Sequence, residues 1–199
     1  AVILIQNSDG GRQQMKNIAA MGITAALGLA GTAVAGNVVN VDLAGLGSWG
    51  AEGDPGNDVI LVDLGAGATV DSVEWTGISV FDPTPGLDAS WLSDVAIGFG
   101  STSAANLVRI NDDGAELGLP NDDGGGSAIG ALDGFKALGF SVDGDGLLRI
   151  ELYERNGFDE DSGYDNIYES GNLAISYIPA PGAFALVGLA GLVGSRRRK

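Results

Sequence analysis

Acidic side chains are the only abundant reactive groups in this chain. Its 199 residues include 26 Asp and Glu but no His and no Cys. Without an imidazole or a thiolate, Ser-His-Asp and Cys-His nucleophiles cannot be assembled. Zinc sites of the usual His or Cys type are excluded as well. Carboxylates remain, and a pair about 5–10 Å apart could hydrolyse a glycosidic bond. Glu151 and Glu154 are available for that chemistry, although so many acids supply carboxylate pairs by chance and no pair stands out.

Calcium makes better use of such acids, because it takes about six to eight oxygen ligands in a flexible geometry. Turn-borne oxygen clusters occur at Asp112 and Asp113, at Asp143 and Asp145, and at Asp159 and Asp161 with Asp165. These seven are the candidate calcium ligands. Asp143-Gly144-Asp145-Gly146 invites comparison with an EF-hand loop, but the spacing fails. Ser141 would occupy the first ligand position and Leu152 the last, where a bidentate Glu is needed. A tight Asp-Gly turn between strands is the simpler reading. A calcium site predicts that a chelator lowers the melting temperature.

Aromatic rings offer a third chemistry. An exposed Trp beside carboxylates can stack on a sugar. Trp75 lies in an alternating run and is expected in the core. Trp49 and Trp91, flanked by small residues, are the candidate platforms.

The elements that must hold these groups read as strands. Val38–Leu43, Asp58–Leu64, Thr69–Phe81, Val95–Phe99, Leu107–Asn111, Phe135–Val142, Leu147–Glu154 and Leu173–Ile178 are short runs rich in β-branched and aromatic residues. In one of them Leu148, Ile150 and Leu152 should face inward, with Arg149, Glu151 and Tyr153 facing out. Asp-Gly, Pro-Gly and Gly-rich turns separate the runs, and Gly114–Gly134 reads as a long loop. About eight strands without a long amphipathic helix predict an all-β fold, a single β-sandwich.

Both ends carry processing signals. Met15-Lys16-Asn17 opens a basic region, Ile18 to Ala30 is apolar, and Ala33-Val34-Ala35 supplies small residues for signal peptidase, with cleavage before Gly36. On this reading 1–14 is an upstream extension, Met15 the start, and 15–35 a signal peptide entering the membrane as a helix. At the other end Pro179-Ala180-Pro181 precedes an apolar segment, Ala183–Gly194, and a basic cluster, Arg196-Arg197-Arg198-Lys199. The apolar 12 residues would make roughly 18 Å of helix, short against a bilayer core of about 30 Å. The cations would remain cytoplasmic.

This order resembles the PEP-CTERM sorting signal of Gram-negative bacteria, with Pro-Ala-Pro in place of Pro-Glu-Pro. The resemblance implies transient retention in the inner membrane, recognition by an exosortase, processing near Pro181, and delivery to the cell surface or to an extracellular matrix containing exopolysaccharide. Residues 179–199 would be that signal.

Between the signals, residues 36–178 contain 25 of the acids against only Arg109, Lys136, Arg149 and Arg155, a net charge of −21. Such a domain repels phosphate backbones, so nucleic acid is not an expected partner, while divalent cations are attracted. No disulfide can support it. Ser90–Ile97, Arg149–Tyr153 and Ser170–Ile175 are similar to strand patterns of galactose-binding-like jelly rolls, including convertase P-domains, which implies a jelly-roll topology and transfers no functional residue. The expectation is an exported, non-enzymatic matrix or surface protein. A lectin-like module and a carboxylate glycosidase are the alternatives.

Overall fold

The computed structural model describes residues 3–9, 12–18, 36–83, 91–120, 126–130, 133–156 and 164–180. In chain order the strands are β1 (Ile3–Asp9), β2 (Arg12–Ile18), β3 (Asn37–Asp42), β4 (Gly47–Ser48), β5 (Val59–Asp63), β6 (Thr69–Asp82), β7 (Val95–Ser101), β8 (Val108–Ile110), β9 (Gly126–Ile129), β10 (Gly134–Ser141), β11 (Leu147–Glu154) and β12 (Asn166–Ile178). A 3-10 turn, Leu92–Asp94, leads into β7. The first sheet runs β2-β1-β5-β11-β7-β8 and the second β10-β6-β12-β3, with β4 added to β12 and β9 to β6. Every pairing is antiparallel. The expected all-β fold is present, as two sheets facing each other in a β-sandwich.

All eight expected runs lie on strands, because alternation is a local signal that needs no tertiary context. Three differences have physical causes. Gly126–Ile129, expected within a long loop, pairs with Ser79–Asp82 as β9; the length of β6 leaves a free edge there that a patternless segment can join. β12 starts at Asn166, well before Leu173. Its register shifts around Ser170 and Gly171, which has φ +147°, break the alternation that would have revealed its first half. Met15 to Ile18, expected to open a signal helix, belong instead to β2, paired residue for residue with β1. The two runs are separated by Gly10-Gly11, a hairpin signal. The remainder of the signal peptide, including Ala33 and Ala35, lies outside the described residues. So does the expected sorting helix with Pro181, Arg196, Arg197, Arg198 and Lys199. Among the described residues no helix is long and apolar enough to cross a membrane.

Ile60 and Val62 of β5, Ile97 and Phe99 of β7, and Leu148, Ile150 and Leu152 of β11 are fully buried against Val41, Val73, Trp75, Val80, Tyr168, Leu173 and Ile175 of the second sheet. Each such aliphatic side chain contributes about 1.5–3 kcal/mol by leaving water. Trp75 is a core residue, as the sequence predicts. Gly134 lies beneath its ring, where a Cβ would come within 1.9 Å of Trp75 Cζ2.

Candidate functional site

β11 carries the chemistry, because both of its faces are covered. Leu148, Ile150 and Leu152 point into the core, so alternation puts Arg149, Glu151 and Tyr153 on the outer face of the first sheet. The sequence predicts that face to be wet. Instead Glu151 is 0% exposed and Tyr153 3%. The cause lies in the neighbouring strand. β7 sets Ala96, Gly98 and Gly100 beside Tyr153, Glu151 and Arg149, and this lack of side chains lets the loop after β7 fold down onto the sheet. A Cβ on Gly98 would stand 2.0 Å from Asn106 Oδ1, and one on Gly100 2.2 Å from the Ala104 carbonyl oxygen. The segment from Trp49 to Asn57 covers the other side.

Glu151 is the centre of this roof. Its Oε1 accepts from the Gly53 amide at 2.7 Å and from Asn57 Nδ2 at 3.0 Å. Its Oε2 accepts from Asn106 Nδ2 and Arg149 Nη1, both at 2.7 Å. Burial alone would raise the carboxyl's pKa, but bonds from Asn106, Asn57, Arg149 and Gly53 outweigh it and hold the pKa below its ordinary 4.5. Asn57 is a second hub. Its Oδ1 accepts from the Trp49 and Gly50 amides at 3.0 and 3.1 Å, while Nδ2 also donates to the Ala51 carbonyl at 2.8 Å. These bonds use the full capacity of a carboxamide. Tyr153 sits beside them, its phenol pushed up to about 12 chiefly by burial, against the pull of Arg109.

A second acidic group closes the far end of β11. Glu154 accepts from Ser48 Oγ and from Asn166 Nδ2, the latter at 3.0 Å. Asp58 accepts from the Gly47 amide at 2.8 Å and the Tyr164 hydroxyl at 3.0 Å. The Asp165 amide donates to the Ser48 carbonyl at 3.0 Å. Glu154, Asp58 and Asp165 are all buried. Burial, and secondarily Glu154, holds the Tyr168 phenol well above its ordinary value.

The candidate calcium ligands are dispersed. Asp143 and Asp145 meet Thr102 and Ser103 at the exposed turn between β10 and β11. Thr102 Oγ1 donates to Asp145 at 2.5 Å and the Ser103 amide to Asp143 at 2.9 Å. Bonds from Ser103, together with those from Ser101 and Thr102, lower the Asp143 carboxyl. Asp143 to Gly146 form a turn between two strands, closed by an amide-to-carbonyl bond of 3.0 Å. Asp112 and Asp113 are exposed after β8, where Asp113 accepts from the Ala115 amide at 3.0 Å. Asp165 is buried at the start of β12, and Asp159 and Asp161 lie outside the described residues. Among the described residues no three acids converge in a way that could hold a metal ion.

The four cations of residues 36–178 each meet an acid: Arg109 meets Glu52 at 2.5 Å, Lys136 meets Glu116 at 2.6 Å, Arg149 meets Glu151 at 2.7 Å and Arg155 meets Asp94 at 3.1 Å. Of the Trp candidates, Trp91 is 42% exposed. Trp49 is half-buried, its ring lying where a Cβ on Gly56 would come within 2.6 Å. Pro179 and Ala180 are half-buried just past β12.

Chemically, the arrangement favours holding over reacting. Glu151 and Glu154, the acids suggested for glycoside hydrolysis, are buried acceptors occupied by protein donors. The residues that sequence reasoning missed are Asn57, Asn106 and Ser48 with Gly98 and Gly100. One signal was available: in Ile97-Gly98-Phe99-Gly100 every outward position is glycine, which marks a close backbone approach. Compared with protein-family models, curated proteins and solved structures, the chain matches none, so its function must be argued from its own residues.

Proposed function

We propose that residues 36–178 form an exported, non-enzymatic surface or matrix domain, jelly-roll-like in topology, trimmed at both ends and sorted through Pro179–Lys199. One observation carries the structural side of this reading. β3 begins at Asn37, directly after the expected signal cleavage, and β12 ends at Ile178, directly before Pro179. The two strands pair Asn37 with Tyr177. Both processing points therefore flank one strand pair, and trimming takes no strand from the second sheet. Signal peptidase and an exosortase are the processing partners, and a Gram-negative cell surface is the destination.

The acids fit a matrix role. Those in the roof hold loops, while exposed ones such as Asp112, Asp113 and Asp145 would bind anionic exopolysaccharide through bridging calcium. Loss of polysaccharide association on adding chelator supports the bridge, and undiminished association removes calcium from the account. A glycan-binding reading has one observation behind it, the exposure of Trp91; sugar binding that persists in Trp91→Ala and Trp49→Ala would eliminate it.

The deciding measurement is the intact mass of the protein recovered from the cell surface and medium. A species beginning at Gly36 and ending near Pro181 supports the reading. A species retaining Ala183–Lys199 makes the tail an anchor and overturns exosortase sorting.

A further inference from the structure

β5 is the least protected strand of the first sheet. Val59-Ile60-Leu61-Val62 contains no charge, proline or glycine, and Asp63 at the end of the strand is its only polar residue. Natural edge strands are guarded by charge, bulges, shortness or a covering segment. The other outer strands follow that rule. β8 is three residues long and carries Arg109, β10 has Lys136 and a register break between Ala137 and Phe140, and β3 is polar at Asn37, Asn40 and Asp42, half of its residues. β5 is covered instead, by β1, which pairs Ile3 with Val62, Leu4 with Leu61, Ile5 with Ile60 and Gln6 with Val59. This pairing shows that the outer side of β5 takes an antiparallel strand.

Resting on the proposed cleavage before Gly36, we infer that the trimmed domain, having lost β1 and β2, pairs β5 with β5 of a second copy. The two strands run antiparallel about a two-fold axis near Leu61, which sets Ile60 of each copy opposite Val62 of the other and joins two first sheets into one. Such a contact is isologous and closes at the dimer. Each copy carries −21, so repulsion opposes the contact, and salt that shortens the screening length strengthens it.

Light scattering on protein recovered from the cell, with its intact mass, tests this. A species beginning at Gly36 that is dimeric, more so at about 1 M salt than at about 0.1 M, and monomeric as Leu61→Lys with an unchanged melting temperature supports the pairing. A monomer beginning at Gly36 at both salt levels overturns the pairing and leaves export standing. A species retaining residues ahead of Gly36, whether it begins at Met15 or earlier, overturns the cleavage and the export reading built on it. In that case the edge is judged on the full chain carrying Ile5→Pro, which removes a β1 amide: a dimer where the unsubstituted chain is monomeric supports self-pairing, and a monomer overturns it.

Discussion

The two faces of β11 are buried by different physics. On the inner face Leu148, Ile150 and Leu152 pack into an apolar core, where an apolar side chain of similar volume would serve. On the outer face, one residue away, Glu151 is as deeply buried as Ile150, yet four donors must meet it with correct geometry. Apolar burial tolerates small changes and does not depend on pH. A buried carboxylate is all or nothing, because removing one side of its contacts leaves polar groups dry and unpaired.

Glu151→Ala should break this contrast most sharply. It leaves Arg149, Asn57, Asn106 and the Gly53 amide without their acceptor and should cost about 3–5 kcal/mol. Ile150→Val, the neighbouring change on the apolar side, should cost about 0.5–1.5 kcal/mol. Equal shifts of the two variants in urea denaturation would mean that the roof adds nothing beyond burial.

Titration separates the faces next. Glu151 is held below 4.5, so its contribution is full above that value and is lost as pH falls through its lowered pKa. Glu151→Gln should flatten this acid limb. Tyr153 is raised from 10.0 to about 12, so its contribution is full below 10 and is lost as pH rises toward 12. That loss is on the order of 2–3 kcal/mol. Melting temperature against pH should show both limbs, with Tyr153→Phe reducing the alkaline one and Ile150→Val changing neither.

Gly100→Ala tests how the roof is seated. The obstruction is the Ala104 carbonyl at 2.2 Å, a backbone atom that can move only with its loop, so a loss of about 1–3 kcal/mol is expected by thermal denaturation. The smallest effect belongs to Thr102→Ala at the exposed Asp143–Asp145 turn. A change within about 0.5 kcal/mol is expected there, and a larger loss would make that turn part of the roof.

The pattern of legibility follows from range. The eight runs and the burial of Trp75 could be read because alternation acts within a few residues. The roof could not, since Asn106 and Asn57 stand 45 and 94 residues from Glu151 in sequence. An asparagine in a turn looks the same whether it bonds its own loop or a carboxylate across the fold. The half-burial of Trp49 was illegible for a related reason: its small neighbours say nothing of Gly56, over which its ring lies.

By itself the sequence determined that His- and Cys-based chemistry is absent, the −21 charge of residues 36–178 and eight of the strands, because composition and short-period patterns carry that information. Only the tertiary structure decided which face of β11 meets water. The Gly98-Phe99-Gly100 hollow admits a loop only once β7 lies beside β11, and Glu151 becomes structural only when donors from two distant segments, Gly53–Asn57 and Asn106, join Arg149 of its own strand.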